Sequence, residues 1–353
     1  MSAGTRALKI AGVTVGVAAG LVGAAYAAQR AVRHGLSNRP DPDAGVLDEM
    51  LATFRASVSQ RRLPSHDGGS IQVFDSGFQT PEPSEREQPC IVLSHGVTID
   101  SRVWVKQFVS LPERGVRVVA FDTRGHGESV SGDTGHSIAN LGWDVRTVLE
   151  TLDLHNVILV GHSMGGVAAQ AFAVQFPEIA RTRVRGLVLL SSLAKTQVSA
   201  TRHLRAVAER ASEKLELGRI MASPDVGLMV ARFGFGREPV ASHVELTRQM
   251  LTACPEETSR EALQALLGMD LTPDLGRIDV PTLVIGGTAD LLTPPAESRR
   301  MARLIPGARL VLLERAGHMI MLERTEAFDD LLLEFARELG LALPGFKPDA
   351  AAV

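Results

Sequence analysis

The hexapeptide Gly161-His162-Ser163-Met164-Gly165-Gly166 constrains this chain more than any other stretch. It follows the β-branched run Asn156-Val157-Ile158-Leu159-Val160 and precedes Val167-Ala168-Ala169-Gln170-Ala171-Phe172-Ala173, which reads as helix. A bare G-x-S-x-G is weak evidence in a chain with 33 glycines. Between a strand and a helix it becomes a nucleophile elbow. The turn is so tight that a Cβ two residues before or after the serine would clash, which accounts for Gly161 and Gly165. It lifts the Ser163 hydroxyl above the sheet and aims the first helical N–H groups at a developing oxyanion.

A serine so placed needs a base and an acid elsewhere in the chain. Val280-Pro281-Thr282-Leu283-Val284-Ile285-Gly286-Gly287 reads as a buried strand running into Thr288-Ala289-Asp290. Ala308-Arg309-Leu310-Val311-Leu312-Leu313 reads as another, followed by Glu314-Arg315-Ala316-Gly317-His318. Asp290 and His318 therefore both fall just past a strand's carboxyl end, the rim where α/β sheets bind ligands. Singly, Asp290 reads equally well as the N-cap of a helix starting near Pro295, and His318 as one loop histidine among 10. Upstream, Cys90-Ile91-Val92-Leu93-Ser94-His95-Gly96-Val97 is a strand ending in His-Gly. The backbone amides of Val97, in the loop after this strand, and Met164, in the elbow, are the candidate oxyanion donors. The strand Val116 to Asp122 leads into Thr123-Arg124-Gly125-His126-Gly127-Glu128-Ser129. There Asp122, Arg124 and His126 read as scaffold that hydrogen-bonds the loops beside the elbow.

Together, His95-Gly96, the Asp122 to Ser129 turn, the elbow, Gly287-Thr288-Ala289-Asp290 and Gly317-His318 resemble the α/β-hydrolase superfamily of the AB hydrolase-1 type, over roughly residues 60 to 340. The resemblance implies an α/β fold with a mostly parallel central sheet flanked by helices and a helical cap insertion. It also implies the order serine, acid, histidine: Ser163 as nucleophile, Asp290 as acid and His318 as base. The elbow is similar to those of monoacylglycerol lipases, carboxylesterases and cofactor-free haloperoxidase-like hydrolases. Haloalkane dehalogenases and most epoxide hydrolases carry aspartate where this chain has Ser163. The expectation is a serine hydrolase of carboxylic esters working through an acyl-enzyme on a small-molecule substrate. A same-fold acyltransferase, amidase, perhydrolase, C–C bond hydrolase or non-enzymatic binding protein are the alternatives. No cofactor or metal is expected: Cys90 and Cys254 lack C-x-x-C partners, and the elbow is not a Gly-x-Gly-x-x-Gly.

The amino terminus sets a second expectation. Ile10 to Ala28 is 19 residues without a charge, about 28 Å as a helix and so near a bilayer's ~30 Å core. Arg6 and Lys9 flank it on one side, Arg30 and Arg33 on the other. Gly12, Gly16 and Gly20 form a small-residue stripe that permits helix packing and self-association. The segment reads as a retained membrane anchor that contacts lipid and localises the protein to the membrane. A signal peptide cleaved near Ala25-Tyr26-Ala27, giving a secreted protein, and a soluble arm are the alternatives. The net charge of −3 gives no reason to expect a nucleic-acid partner.

The chain divides into the apolar segment 1–36, a polar linker and short helix at 37–59, a first core part at 60–194, a helical cap at 195–278, a second core part at 279–342 and a tail at 343–353. The short helix is expected from Val46 to about Ser59, the sheet to begin at Ser70-Ile71-Gln72-Val73-Phe74-Asp75, and Thr80 to Pro89 to be a solvated connection. In the cap, Ala200 to Leu217 reads as helical. Met221, Leu228, Met229, Phe233 and Phe235 either line an acyl pocket or pack the cap on the core. Residues 10–28 are expected to be dispensable for chemistry, so that removing residues 1–45 should give a soluble protein that keeps its elbow, oxyanion donors and cap.

Overall fold

A computed structural model describes residues 30, 32–77, 89–196 and 224–341. The apolar run 10–28 with Gly12, Gly16 and Gly20, the connection from residue 80 to 88, the run 200–217 and Met221 lie outside the described residues. Among the described residues, no helix is long and apolar enough to cross a membrane.

The described strands are β1 (Ser59–Pro64), β2 (Ser70–Asp75), β3 (Cys90–Ser94), β4 (Arg117–Phe121), β5 (Val157–His162), β6 (Val184–Leu190), β7 (Thr282–Gly287) and β8 (Arg309–Leu313). They form one sheet in the order β1-β2-β4-β3-β5-β6-β7-β8. β1 and β2 pair antiparallel, as do β2 and β4, and every pairing from β4 to β8 is parallel. Parallel strands need crossovers, so helices cover both faces and the strands read as continuous apolar runs. The alternation along β3 shows it: Ile91 and Leu93 join one core, Cys90 and Val92 the other. The first core packs β3 under α1 (Val46–Ser57), α2 (Gln107–Glu113) and the late helix Thr325–Glu338. The second is closed by α3 (Ile138–Thr151) and the elbow helix α4 (Met164–Gln175). α4 is buried from Met164 to Ala173, and its glycines and alanines let neighbouring backbones come close. Phe172, 0% exposed, is the large anchor of that contact, and replacing it with alanine would cost about 3–5 kcal/mol.

The insertion after β6 carries α5 (Pro224–Phe233), α6 (Ala241–Ala253) and α7 (Glu256–Leu267). After it come α8 (Pro295–Leu304) and α9 (Ile320–Glu323).

Three expectations are corrected. The sheet begins at Ser59 and not at Ser70, because Ser59–Pro64 adds as an antiparallel edge strand. Only Leu63 of it is buried, so its sequence carries no apolar period. Residues 39–43 are a strap rather than a free linker. Arg39 donates to Arg237 O at 2.8 Å, Asp41 accepts from Ser242 N and Oγ, both at 2.8 Å, and Asp43 accepts from Lys106 Nζ at 2.6 Å and His243 Nε2 at 2.5 Å. Leu36, just before, is buried in the first core. Phe233 is 53% exposed and does not pack inward, whereas Phe235, 1% exposed within the core, and Leu228, packed against it, follow the alternative in which the cap packs on the core.

Candidate active site

Ser163 follows β5 and precedes the first residue of α4, with φ 52° and ψ −115°. A non-glycine residue in that region is strained, and such strain persists only where packing over-determines it. The packing is visible. A Cβ on Gly161 would lie 2.3 Å from Gly165 O, and one on Gly165 would lie 2.2 Å from Ser94 O. Ser163 N donates to Leu190 O at 2.9 Å, and Ser192 Oγ donates to Ser163 O at 2.8 Å, so β6 holds the elbow from its far side.

His318, in the loop after β8, and Asp290, in the loop after β7, come together: His318 Nδ1 lies 3.0 Å from Asp290 Oδ2. A carboxylate acceptor fixes the proton on Nδ1 and leaves Nε2 with its lone pair. The carboxylate is itself held. Oδ1 accepts the amides of Leu292 and Thr293, both at 2.8 Å, and Oδ2 accepts Thr293 Oγ1 at 2.7 Å. Burial alone would raise the Asp290 carboxyl, but His318 and the hydrogen bonds from His318 and Thr293 outweigh it and hold it below its ordinary value. Asp290 therefore does not cap the helix at Pro295. Its oxygens serve its own loop and His318, and the N-cap position is Pro294.

Ser163 is brought beside this pair through its neighbour. The ring of His162 packs on that of His318 with centroids 4.7 Å apart, and His162 Nε2 donates to His318 O at 3.0 Å. Burial, reinforced by His318, holds His162 neutral, far below its ordinary value. Among the described residues no hydrogen bond joins Ser163 Oγ to His318, and the serine is 8% exposed, Asp290 3% and His318 5%. Such contacts are often long before substrate binds.

The Val97 and Met164 amides have no hydrogen-bond acceptor among the described residues. Their loops are braced. His95 Nε2 accepts Thr123 N at 2.9 Å, so its Nδ1–H donates to Gly96 O at 2.7 Å. His126 Nε2 accepts Thr98 N at 3.1 Å, and its Nδ1–H donates to Arg124 O at 2.9 Å. Burial, helped by His95, pushes His126 down to about 3, so that acceptor is permanent. Asp122 accepts Ser101 N at 2.8 Å and Glu128 N at 2.9 Å. Arg124 works elsewhere, bridging Asp144, Asp67 and Gly135 O, and not beside the elbow.

Thr293, Ser192 and His162 are positioning groups that sequence reading missed. Of these only His162 carried a signal, its place inside the elbow. A cavity of about 320 Å³ lined by Phe54, Arg102, Asp122, Met250 and Cys254 includes none of Ser163, Asp290 or His318. Both cysteines are free and buried, and burial pushes Cys90 up to about 12. Among the described residues no group of side chains could hold a metal ion.

Comparison with known proteins agrees with this architecture. A family model described as the alpha/beta hydrolase fold matches residues 89–325. The chain is 28% identical over 279 residues to a non-heme chloroperoxidase of Kitasatospora aureofaciens, covering 77% of this chain and 97% of that one. It is 29% identical over 252 residues to a 3-oxoadipate enol-lactonase of Acinetobacter baylyi, covering 71% and 90%. A solved hydrolase from Pseudomonas aeruginosa superposes with a TM-score of 0.65 at 28% identity, covering 78% of this chain and 98% of that one. The chain belongs to the alpha/beta hydrolase fold family.

Proposed function

We propose that this protein is a membrane-anchored serine hydrolase that cleaves carboxylic esters through Ser163, His318 and Asp290. The observation that carries the reading is the Asp290–His318 pair at 3.0 Å, one residue's contact away from a strained serine. His318 Nε2 takes the Ser163 proton, the alkoxide attacks the carbonyl, and the Val97 and Met164 amides receive the oxyanion. Asp290 fixes the tautomer and stabilises the imidazolium. Collapse expels the alcohol, protonated by His318, and leaves an acyl-serine. Water deprotonated by the same imidazole then releases the acid and restores the hydroxyl. A relative named as an enol-lactonase supports an ester-type bond as the target.

A second reading, perhydrolysis, has one observation in its favour, the relative named as a chloroperoxidase. In it hydrogen peroxide replaces water as the acyl acceptor at the same serine.

The anchor reading rests on the uncharged run 10–28, which would hold the enzyme against lipid and favour lipophilic or acyl-glycerol esters by proximity. Self-association would use the stripe of Gly12, Gly16 and Gly20. The direct test is fluorophosphonate labelling followed by a screen of acyl esters of increasing chain length, with peracid formation measured beside acid release. Labelling with ester turnover supports the reading. A chain that neither labels nor turns over any ester contradicts it. For the anchor, full-length protein should resist carbonate extraction from membranes with its first residues intact. A mature chain beginning after Ala27 or Ala28 would make the segment a signal peptide.

A further inference from the structure

The loop that carries His318 is not held by its own strand alone. The His318 and Met319 amides both donate to Gly234 O, at 2.8 and 3.1 Å, and Arg237 N donates to Arg315 O at 3.0 Å. Residues 234–237 leave α5 on the way to α6, so the cap and the histidine loop share a run of backbone hydrogen bonds. The approach is too close for side chains. A Cβ on Gly236 would sit 2.2 Å from Arg315 O, and one on Gly317 would sit 2.3 Å from Gly236 N.

One side chain closes this contact. Glu323, the last residue of α9, accepts Gly236 N at 2.7 Å through Oε2. The same carboxylate accepts Gly317 N, at 3.0 Å through Oε1 and 3.2 Å through Oε2. Gly317 is the residue before His318. Burial raises the Glu323 carboxyl above its ordinary value even against those two amides, and the cations facing it are Arg324 beside it and Arg232 on α5. Bonds from N–H groups to an ionised carboxylate are about twice as strong as neutral ones. A loop held by them resists the displacement, about 1 Å, that costs a catalytic group up to about a hundredfold in rate.

We propose that Glu323 is a positioning residue: it holds the Gly236 and Gly317 amides on one carboxylate and thereby ties the place of His318 to the seating of the cap. This rests on reading His318 as the base of a serine hydrolase. Glu323 touches neither substrate nor reacting atoms, so its removal acts on kcat and spares KM.

The test uses the full-length protein and a short, water-soluble ester, with competent sites counted by fluorophosphonate titration to completion. Glu323→Gln turns an amide NH₂ toward one of the two N–H donors. Its kcat per titrated serine is expected to fall about tenfold or more, with KM within about twofold of wild type. Glu323→Asp keeps the charge on an arm too short for both amides and should fall between. Glu238→Gln makes the same charge change at the exposed bridge to Arg315 and Arg324, both at 2.9 Å, and should leave kcat within about twofold. Wild-type kcat per titrated serine in Glu323→Gln overturns the proposal, as does an equal loss in Glu238→Gln. If Glu323→Gln yields no folded enzyme, Glu323→Asp decides by the same criterion. A wild-type protein that takes no label defeats the hydrolase reading itself, a result separate from any of these.

Discussion

Asp290 Oδ2 stands 3.0 Å from His318 Nδ1 while Oδ1 of the same carboxylate is occupied by the Leu292 and Thr293 amides. Oδ1 therefore serves the loop amides alone, while Oδ2 takes the imidazole together with the Thr293 hydroxyl. In Asp290→Asn the carbonyl oxygen is claimed by the two amides, so the NH₂ faces His318 Nδ1 and forces the proton onto Nε2. The base is then blocked while the loop survives. The expected result is a fall in kcat on the order of 10⁴ with thermal unfolding little changed. Steady-state kinetics beside a melting curve checks it, and near-normal kcat would show that another group orients His318.

The oxyanion loop gives a second expectation. Thr98 has φ 60°, and its N–H is accepted by His126 Nε2. His126→Phe leaves that buried N–H without an acceptor and frees the segment bearing the Val97 amide. kcat should drop about tenfold to a hundredfold with KM nearly unchanged. Because burial keeps His126 neutral, with a second proton gained only near pH 3, the bond contributes no inflection to the activity profile at neutral pH.

The elbow, the strand ends and the acid and histidine candidates were legible because each rests on local pattern: a β-branched run, a glycine turn and a polar residue just beyond. Long-range relations were not. β1 is Ser-Gln-Arg-Arg-Leu-Pro, and an edge strand with one buried side chain has nothing to alternate. Asp41 and Asp43, set among prolines, read as linker because their partners Ser242 and His243 lie 200 residues away. Phe233 and Phe235 are the same residue type two apart. Their different fates depend on where α5 ends, after which the chain turns Phe235 inward. Thr293 and Glu323 act through hydrogen bonds of one side chain each, which leave no sequence period.

The strap changes the expected outcome of truncation. Removing residues 1–29 should leave Tm within about 2 °C, since every strap contact is kept. Removing residues 1–45 deletes Leu36, Arg39, Asp41 and Asp43 together, and should lower Tm by about 5 °C or more. Differential scanning calorimetry of the two truncated proteins separates the cases. Equal melting temperatures would mean the strap adds nothing to the folded domain.

Asp329 sets a pH dependence of stability. It accepts from Gln107 Nε2 at 3.1 Å and from Ser110 Oγ, and burial pushes its carboxyl up to about 6 from 3.8. The unfolded chain loses this proton near 3.8 and the folded chain near 6, so between those values the folded state binds more protons. Rising pH therefore costs stability across that window. Asp329→Asn removes the titration, and the Tm of wild type relative to the variant should fall as pH rises from about 4 to about 6 and level off above. A difference independent of pH would contradict it.

The most direct test is labelling by a fluorophosphonate, which requires an activated serine and an oxyanion site together. Wild-type protein should take up one probe per chain at Ser163, and Ser163→Ala should take up none while folding normally. The variant should also lose at least about 10³ in kcat on any ester that the wild type cleaves. Stoichiometric labelling of Ser163→Ala, or ester turnover that survives the substitution, would contradict a nucleophilic Ser163.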